Sequence, residues 1–170
     1  MTLTNNNNII LIGMPGAGKS SLGVVLAKRR NMAFCDTDLL LQEGANQLLS
    51  EIISERGIDG FQEYENYILS GLECENTLIS TGGSAVYGTS AMEHFKKIGT
   101  VVFLDCSFKE LTKRLGSDLK ARGVTIKEGM TLEDLYEERQ PLYEHWADYT
   151  LDTSEMNMRE AIEALDELLK

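Results

Sequence analysis

The chain has 170 residues, 42% of them hydrophobic, and a formal net charge of -11. That length fits one domain with a sizeable core. The acidic field repels polyanions, which argues against a nucleic-acid binder, and there is no apolar run of about 18 residues to span a membrane.

Met1 to Asn8 is short and polar and lacks the apolar stretch of a signal peptide. Asn5 to Asn8 reads as a frayed lead-in to the first strand. Five short apolar or β-branched runs are predicted as buried parallel strands: Ile9–Ile12, Ala33–Cys35, Thr77–Ser80, Thr100–Leu104 and Tyr149–Leu151. Amphipathic segments fall between them. Capping-box spacing marks four helix starts, at Ser90 with Glu93, Ser107 with Glu110, Thr131 with Asp134, and Asn157 with Glu160, the last two in variant form. The last helix carries Met158, Ala161, Ile162, Leu165, Leu168 and Leu169 on one stripe. Such alternation predicts an α/β fold with a mainly parallel sheet and right-handed crossovers. Gly116 to Met130 breaks the pattern. It is polar, contains glycine, and carries Lys120, Arg122 and Lys127, so it reads either as a loose insertion or as a lid over a phosphate site.

The three cysteines, Cys35, Cys74 and Cys106, form no CxxC pair. An odd, scattered set argues against a disulfide framework or a zinc site and fits a reducing cytoplasm. Cys35 and Cys106 read as buried small hydrophobes. His94 and His145 lack metal-ligand spacing, and Tyr143 and Trp146 read as core.

The strongest motif is Gly13-Met14-Pro15-Gly16-Ala17-Gly18-Lys19-Ser20, which fits GxxxxGK[ST]. A predicted strand precedes it, and a helix with Leu22, Val25 and Leu26 on one face follows. The glycines let the backbone turn so that its N–H groups point at phosphate oxygens, and the helix adds its positive end. Lys19 would reach the β- and γ-phosphates of ATP, and Ser20 would offer a hydroxyl to Mg²⁺. The nucleotide site is read as this loop together with Ser21.

Asp36 and Asp38 follow the second strand, where parallel sheets bind ligands. Alone, such a pair reads as a solvated turn and helix cap. Beside a P-loop, Asp36 is read as a water-mediated Mg²⁺ ligand, and Asp38 as the base that takes a proton from an acceptor hydroxyl. Gly82 and Gly83 end the third strand and would bring bare backbone close to the acceptor.

These residues together resemble shikimate kinases, small members of the nucleoside-monophosphate-kinase-like P-loop group. The resemblance runs in order along nearly the whole chain: the P-loop; Asp36-Thr37-Asp38; Gly57 to Glu65, similar to G-x-x-x-F-R-x-x-E; Thr81-Gly82-Gly83, similar to T-G-G-G; and Glu138 to Tyr143, similar to E-R-x-P-L-Y. It implies a three-layer α/β/α P-loop domain with a five-stranded parallel sheet, a lid about 116–130 and a helical acceptor-binding region about 39–74. The implied reaction passes a phosphoryl group from ATP to a hydroxyl of shikimate or a similar small hydroxylated acid. Arg139 would bind the acceptor carboxylate, Arg122 would close on the transferring phosphate from the lid, and Arg114 would lie near adenine. Nothing in the sequence demands more than a monomer.

Two departures fall on the acceptor side. Gln62 stands where the family has an arginine that shares the carboxylate with the later one, and Ser84 stands for the third glycine. Gln62 cannot form a bidentate ion pair, and Glu65 loses a cationic partner. Arg56 is a candidate to compensate. In the lid, Gly123 replaces the proline that usually follows the arginine. A different small acceptor and a catalytically lost ATP-binding module are the alternatives these changes leave open, although Lys19 and Asp38 are both retained.

Overall fold

The five apolar runs become one sheet. The computed structural model describes residues 6–117, 119 and 123–170. Its strands are β1 (Asn8–Ile12), β2 (Ala33–Asp36), β3 (Thr77–Ser80), β4 (Gly99–Asp105) and β5 (Tyr149–Asp152). All pairings are parallel, in the order β2-β3-β1-β4-β5. The central strands β1 and β3 are buried along their whole length, which is why they read as unbroken apolar runs rather than as alternating ones.

Among the described residues, seven α-helices connect and cover the strands: α1 (Lys19–Arg29), α2 (Thr37–Ala45), α3 (Leu49–Ser70), α4 (Thr89–Ile98), α5 (Phe108–Leu115), α6 (Leu132–Trp146) and α7 (Met158–Leu168). The main core joins the sheet to α1, α4, α5, α6 and α7 through residues such as Leu26, Phe95, Leu111, Leu135 and Leu165. A second apolar cluster, Leu41, Ile52 and Phe61, ties α2 to α3. The segment read as acceptor-binding thus has a small core of its own beside the sheet.

Helix α3 turns at Gly57, whose φ of 72 and ψ of 175 break the helical run. A side chain would strain that backbone, so the glycine that opens the Gly57–Glu65 motif sets the angle at which Phe61 and Glu65 meet the sheet.

The asparagine lead-in is not frayed where it is described. Asn8 is a buried member of β1: its amide donates to the Cys74 and Ile98 carbonyls at 2.9 and 3.1 Å, and its Oδ1 accepts from Thr77 N at 2.9 Å. Asn6 joins through Asn76 N, which donates to its carbonyl at 2.9 Å. The helix starts also depart from expectation in one case. Thr131 and Asn157 form full capping boxes, and Ser107 caps α5. Ser90 caps nothing, because α4 begins two residues earlier than that cap would set it, at Thr89 after Gly88. Asn66 of α3 accepts from Ala91 N at 2.9 Å instead, a tertiary cap.

Among the remaining expectations, Cys106 is buried while Cys35 is half-buried, and Tyr143 is core while Trp146 is half-buried. His94 lies 2.6 Å from the Leu72 carbonyl, a contact across 22 positions of sequence. Among the described residues, no helix is long and apolar enough to cross a membrane.

Candidate active site

The carboxyl ends of β1, β2 and β3 face one crevice, the position at which open parallel sheets place ligands. The Gly13–Ser20 loop leads from β1 into α1. At Gly13, φ is +149 and a Cβ would come within 2.6 Å of the Leu104 carbonyl oxygen, so no side chain fits there. Helix α1 opens after Gly18, with no side-chain cap and no acidic residue in its first turn. Its first N–H groups are therefore left for an anion. Lys19 Nζ donates to the Gly13 and Met14 carbonyls at 2.7 and 2.8 Å. Burial pushes this ammonium down to about 8, with Asp38 opposing that shift.

Ser20 Oγ donates to Asp36 Oδ2 at 2.9 Å and lies 2.9 Å from Ser80 Oγ. The other oxygen of Asp36 accepts from Asp38 N at 3.0 Å and caps α2. The capping and ligand readings of this aspartate are thus compatible: one oxygen serves the helix and the other faces the P-loop serine. A hydroxyl and a carboxylate are hard oxygen donors that suit Mg²⁺. Among the described residues, no cluster of three or more His, Cys, Asp or Glu side chains is arranged to hold a metal. An ion here would complete its shell with phosphate oxygens and water.

Asp38 lies two residues on. Burial raises its carboxyl to about 6, the Asp36 charge pushes the same way, and Lys19 opposes. A group in that range is well matched to proton transfer near neutral pH. Gly82 and Gly83 form the opposite wall. A Cβ on Gly82 would sit 2.9 Å from Asp38 Oδ1 and 3.2 Å from Glu65 Oε2. One on Gly83 would sit 2.6 Å from Pro15 Cδ and 2.9 Å from Arg139 Nη1. The bare backbone lets two carboxylates and a guanidinium approach one strip of chain.

Arg139, on α6, is 1% exposed. Its Nη2 donates to Thr125 Oγ1 at 3.0 Å, and its guanidinium lies 5.3 Å from the Tyr87 ring centroid. Tyr143, one turn along α6, donates from its hydroxyl to the Gly83 carbonyl at 2.7 Å and so ties that helix to the glycine wall. Lys19, Ser20, Ser21, Asp38, Glu65, Gly82, Gly83 and Arg139 all line a single cavity of about 360 Å³ with Pro15, Gly16 and Gly18. A neighbouring cavity of about 480 Å³ runs along the other side of the P-loop, lined by Ala17, Ser21, Arg114, Thr153 and Asn157. Arg114 is held there by Glu110 at 3.2 Å.

The structure does not bring every sequence candidate to the cavity. Gln62 is half-buried on α3 and lies outside the lining. Arg56 is exposed and stacks over Tyr64 at 4.5 Å, so it does not stand in for the absent arginine. Arg122 and Lys120 lie outside the described residues. Of the same polar stretch, Lys127 pairs with Asp59 on α3 at 3.2 Å, while Gly123 and Thr125 line the cavity.

Several contacts at the site gave no signal in the sequence. Ser84 Oγ donates to Glu65 Oε1 at 2.6 Å, and Glu65 Oε2 has no hydrogen-bond partner. Burial raises the Glu65 carboxyl to about 7, against the Ser84 hydrogen bond, which lowers it. Thr125 and Tyr87 support Arg139 from other parts of the chain, and Tyr143 ties its helix to the Gly83 carbonyl. Each of these contacts depends on tertiary approach.

Comparison with known proteins agrees with this geometry. The family model described as "Shikimate kinase" matches residues 15–170. A shikimate kinase of Haemophilus influenzae is 34% identical over 170 residues, covering 98% of this chain and 94% of the relative. One from Pasteurella multocida is 35% identical over 160 residues, covering 92% and 91%. Among solved structures, the shikimate kinase of Bacteroides thetaiotaomicron superposes with a TM-score of 0.78 at 31% identity, covering 96% of this chain and 98% of that one. The Acinetobacter baumannii shikimate kinase in complex with shikimate superposes with a TM-score of 0.82 at 26% identity, covering 96% and 92%. With its five-stranded parallel sheet and its P-loop crevice matched over almost its full length, this chain belongs to the shikimate kinase family.

Proposed function

We propose that this protein transfers the γ-phosphoryl group of ATP to a hydroxyl of shikimate or a closely similar small hydroxylated acid. The observation that carries the reading is the convergence of Lys19, Asp38, Gly82, Gly83 and Arg139 on one cavity that reaches from the P-loop to α6. The P-loop N–H groups and Lys19 bind the phosphates. The neighbouring cavity beside Arg114 takes the nucleoside. Arg139, already held by Thr125 and Tyr87, takes the acceptor carboxylate in a charge-assisted pair. Asp38 accepts the proton of the attacking hydroxyl. Mg²⁺, held through Ser20 and through Asp36 by way of water, would neutralise charge on the phosphates when bound. The remaining work of these residues is to position the two substrates and exclude water, which is most of what phosphoryl transfer needs.

The stretch 116–130 acts as the lid, with Arg122 meeting the transferring group. We read the enzyme as a cytoplasmic monomer, and its three cysteines are free thiols. A reading as a silent ATP-binding module is disfavoured because Lys19, Asp38 and Arg139 all line the cavity. Gln62 and Ser84 favour a second reading, in which the acceptor is another small hydroxy acid.

ADP formation with Mg²⁺, in the presence and absence of shikimate, tests the proposal. The expected result is ADP release that depends on shikimate, with KM between about 1 μM and about 1 mM. Intact ATP binding without shikimate-dependent turnover would hand the site to the second reading, and a panel of hydroxy acids would follow.

A further inference from the structure

One of the two family departures touches the retained Glu65. Gln62 leaves α3 without the family's arginine three residues before it, and Ser84 supplies the hydroxyl that holds this carboxyl. Ser84 Oγ donates to Oε1 at 2.6 Å. Among the described residues, the buried side-chain atoms with no hydrogen-bond partner are Glu65 Oε2 and Gln140 Oε1, and of these two residues only Glu65 lines the cavity. Glu65 is 2% exposed. Its bare oxygen lies beside Gly82, next to the glycine that faces Arg139.

The serine hydrogen bond occupies Oε1. A proton carried on Oε2 has no partner among the described residues and is left for a ligand in the cavity that Glu65 lines. A buried neutral carboxyl is a competent donor, whereas a buried, unpaired carboxylate is costly. The groups around it are mixed in sign. Asp38 on α2 disfavours its ionisation, and Arg139 on α6 favours it. Tyr143 on α6 faces it as a neutral phenol, with its pKa raised to about 12 by burial. Ser84 from the loop after β3 and Gln62 on its own helix are uncharged. The Glu65 carboxyl itself is raised to about 7, chiefly by burial.

We propose that Glu65, protonated and held by Ser84, is an acceptor-binding residue whose Oε2–H donates to the carboxylate of the hydroxy acid beside Arg139, in place of the arginine absent at position 62. The acceptor class is therefore a small hydroxylated monocarboxylate bound together with a proton from water. The inference rests on the proposed function, because it requires an anionic acceptor at Arg139.

The test uses shikimate as the probe, with saturating MgATP, from about pH 6 to about pH 8.5. In the wild type, shikimate KM is expected to rise with pH, approaching tenfold per unit above the midpoint, while ATP KM does not follow. Glu65→Gln keeps an acceptor at one end of the side chain and a fixed donor at the other. Its shikimate KM is expected to stay near the low-pH wild-type value and to lose the pH dependence. Calorimetric binding of shikimate to the wild type, in two buffers of different ionisation heat, should show uptake of up to one proton above neutral pH; this needs no variant. A wild-type KM that is flat or falls with pH, without proton uptake, overturns the role of Glu65 while leaving the kinase reading intact. No shikimate binding or turnover at any pH, with ATP still bound, would sink the acceptor reading and this proposal together.

Discussion

Ser84 and Glu65, separated by 19 positions in sequence, share a buried hydrogen bond of 2.6 Å at the wall of the active-site cavity. The contact connects the glycine strip after β3 to the helix that would carry the family's second arginine. Glu65 is buried and forms no ion pair among the described residues, and that has a cost in stability.

That cost can be read from pH. The Glu65 carboxyl rises from an ordinary 4.5 to about 7 in the fold. A raised acid contributes fully below its unfolded value, and its contribution is lost as pH climbs through the folded one. Wild-type stability relative to Glu65→Gln should therefore fall between about pH 4.5 and about pH 7, by about 3 kcal/mol at most, from 1.36 kcal/mol per unit. Denaturant unfolding of both proteins without ligands at pH 5 and pH 8 measures the difference. A gap that widens in favour of wild type at high pH would contradict the assignment.

Ser84→Ala removes the hydroxyl that holds Glu65 and should cost about 1–3 kcal/mol in folding stability. It should also raise shikimate KM more than ATP KM, because the carboxyl loses its orientation. Chemical denaturation and initial rates on the same preparation separate the two effects. Equal changes in both KM values would show only a general loosening.

Gln62→Arg restores the cation beside Glu65. The new charge should ionise that carboxyl and lower shikimate KM by about tenfold, the lower end of a charge-assisted hydrogen bond. It should also flatten the pH dependence of KM. An unchanged KM would mean that position 62, which lies outside the cavity lining, does not reach the acceptor.

Arg139→Lys keeps the charge but loses the planar fork. It also abandons the contacts with Thr125 and Tyr87 that hold the guanidinium in place. Shikimate KM should rise roughly ten- to a hundredfold, on the order of 1.5–3 kcal/mol, with ATP KM nearly constant. A loss confined to ATP would place Arg139 on the nucleotide side instead.

Much of the fold was legible because buried parallel strands leave a simple trace. Ile9–Ile12 and Thr77–Ser80 are apolar or β-branched on both faces, so no alternation obscured them. The P-loop was legible because its glycines are demanded by the backbone, as the 2.6 Å approach at Gly13 shows. Local caps fared well where the partner lay three residues away, as at Thr131 and Asn157. Ser90 failed for the complementary reason: the first turn of α4 is satisfied by Asn66 from another helix. Asn8 read as lead-in because asparagine is rare in strand interiors, yet three separate backbone groups satisfy it there. At the site, Lys19, Asp36, Asp38 and the two glycines carried motif spacing. The Ser84–Glu65 bond and the contacts of Thr125 and Tyr87 with Arg139 did not, because each depends on how helices α3 and α6 lean on the sheet.

Phosphoryl transfer to shikimate is tested by detecting the phosphorylated product itself. Wild type and Asp38→Asn would each be incubated with ATP, Mg²⁺ and shikimate, with the products followed by phosphorus NMR. A new phosphomonoester on shikimate is expected with wild type. With Asp38→Asn, formation should be slower by about 10²–10⁴-fold while ATP affinity holds within a few-fold. Inorganic phosphate in place of a shikimate ester, or an ester formed equally fast by the variant, would contradict it.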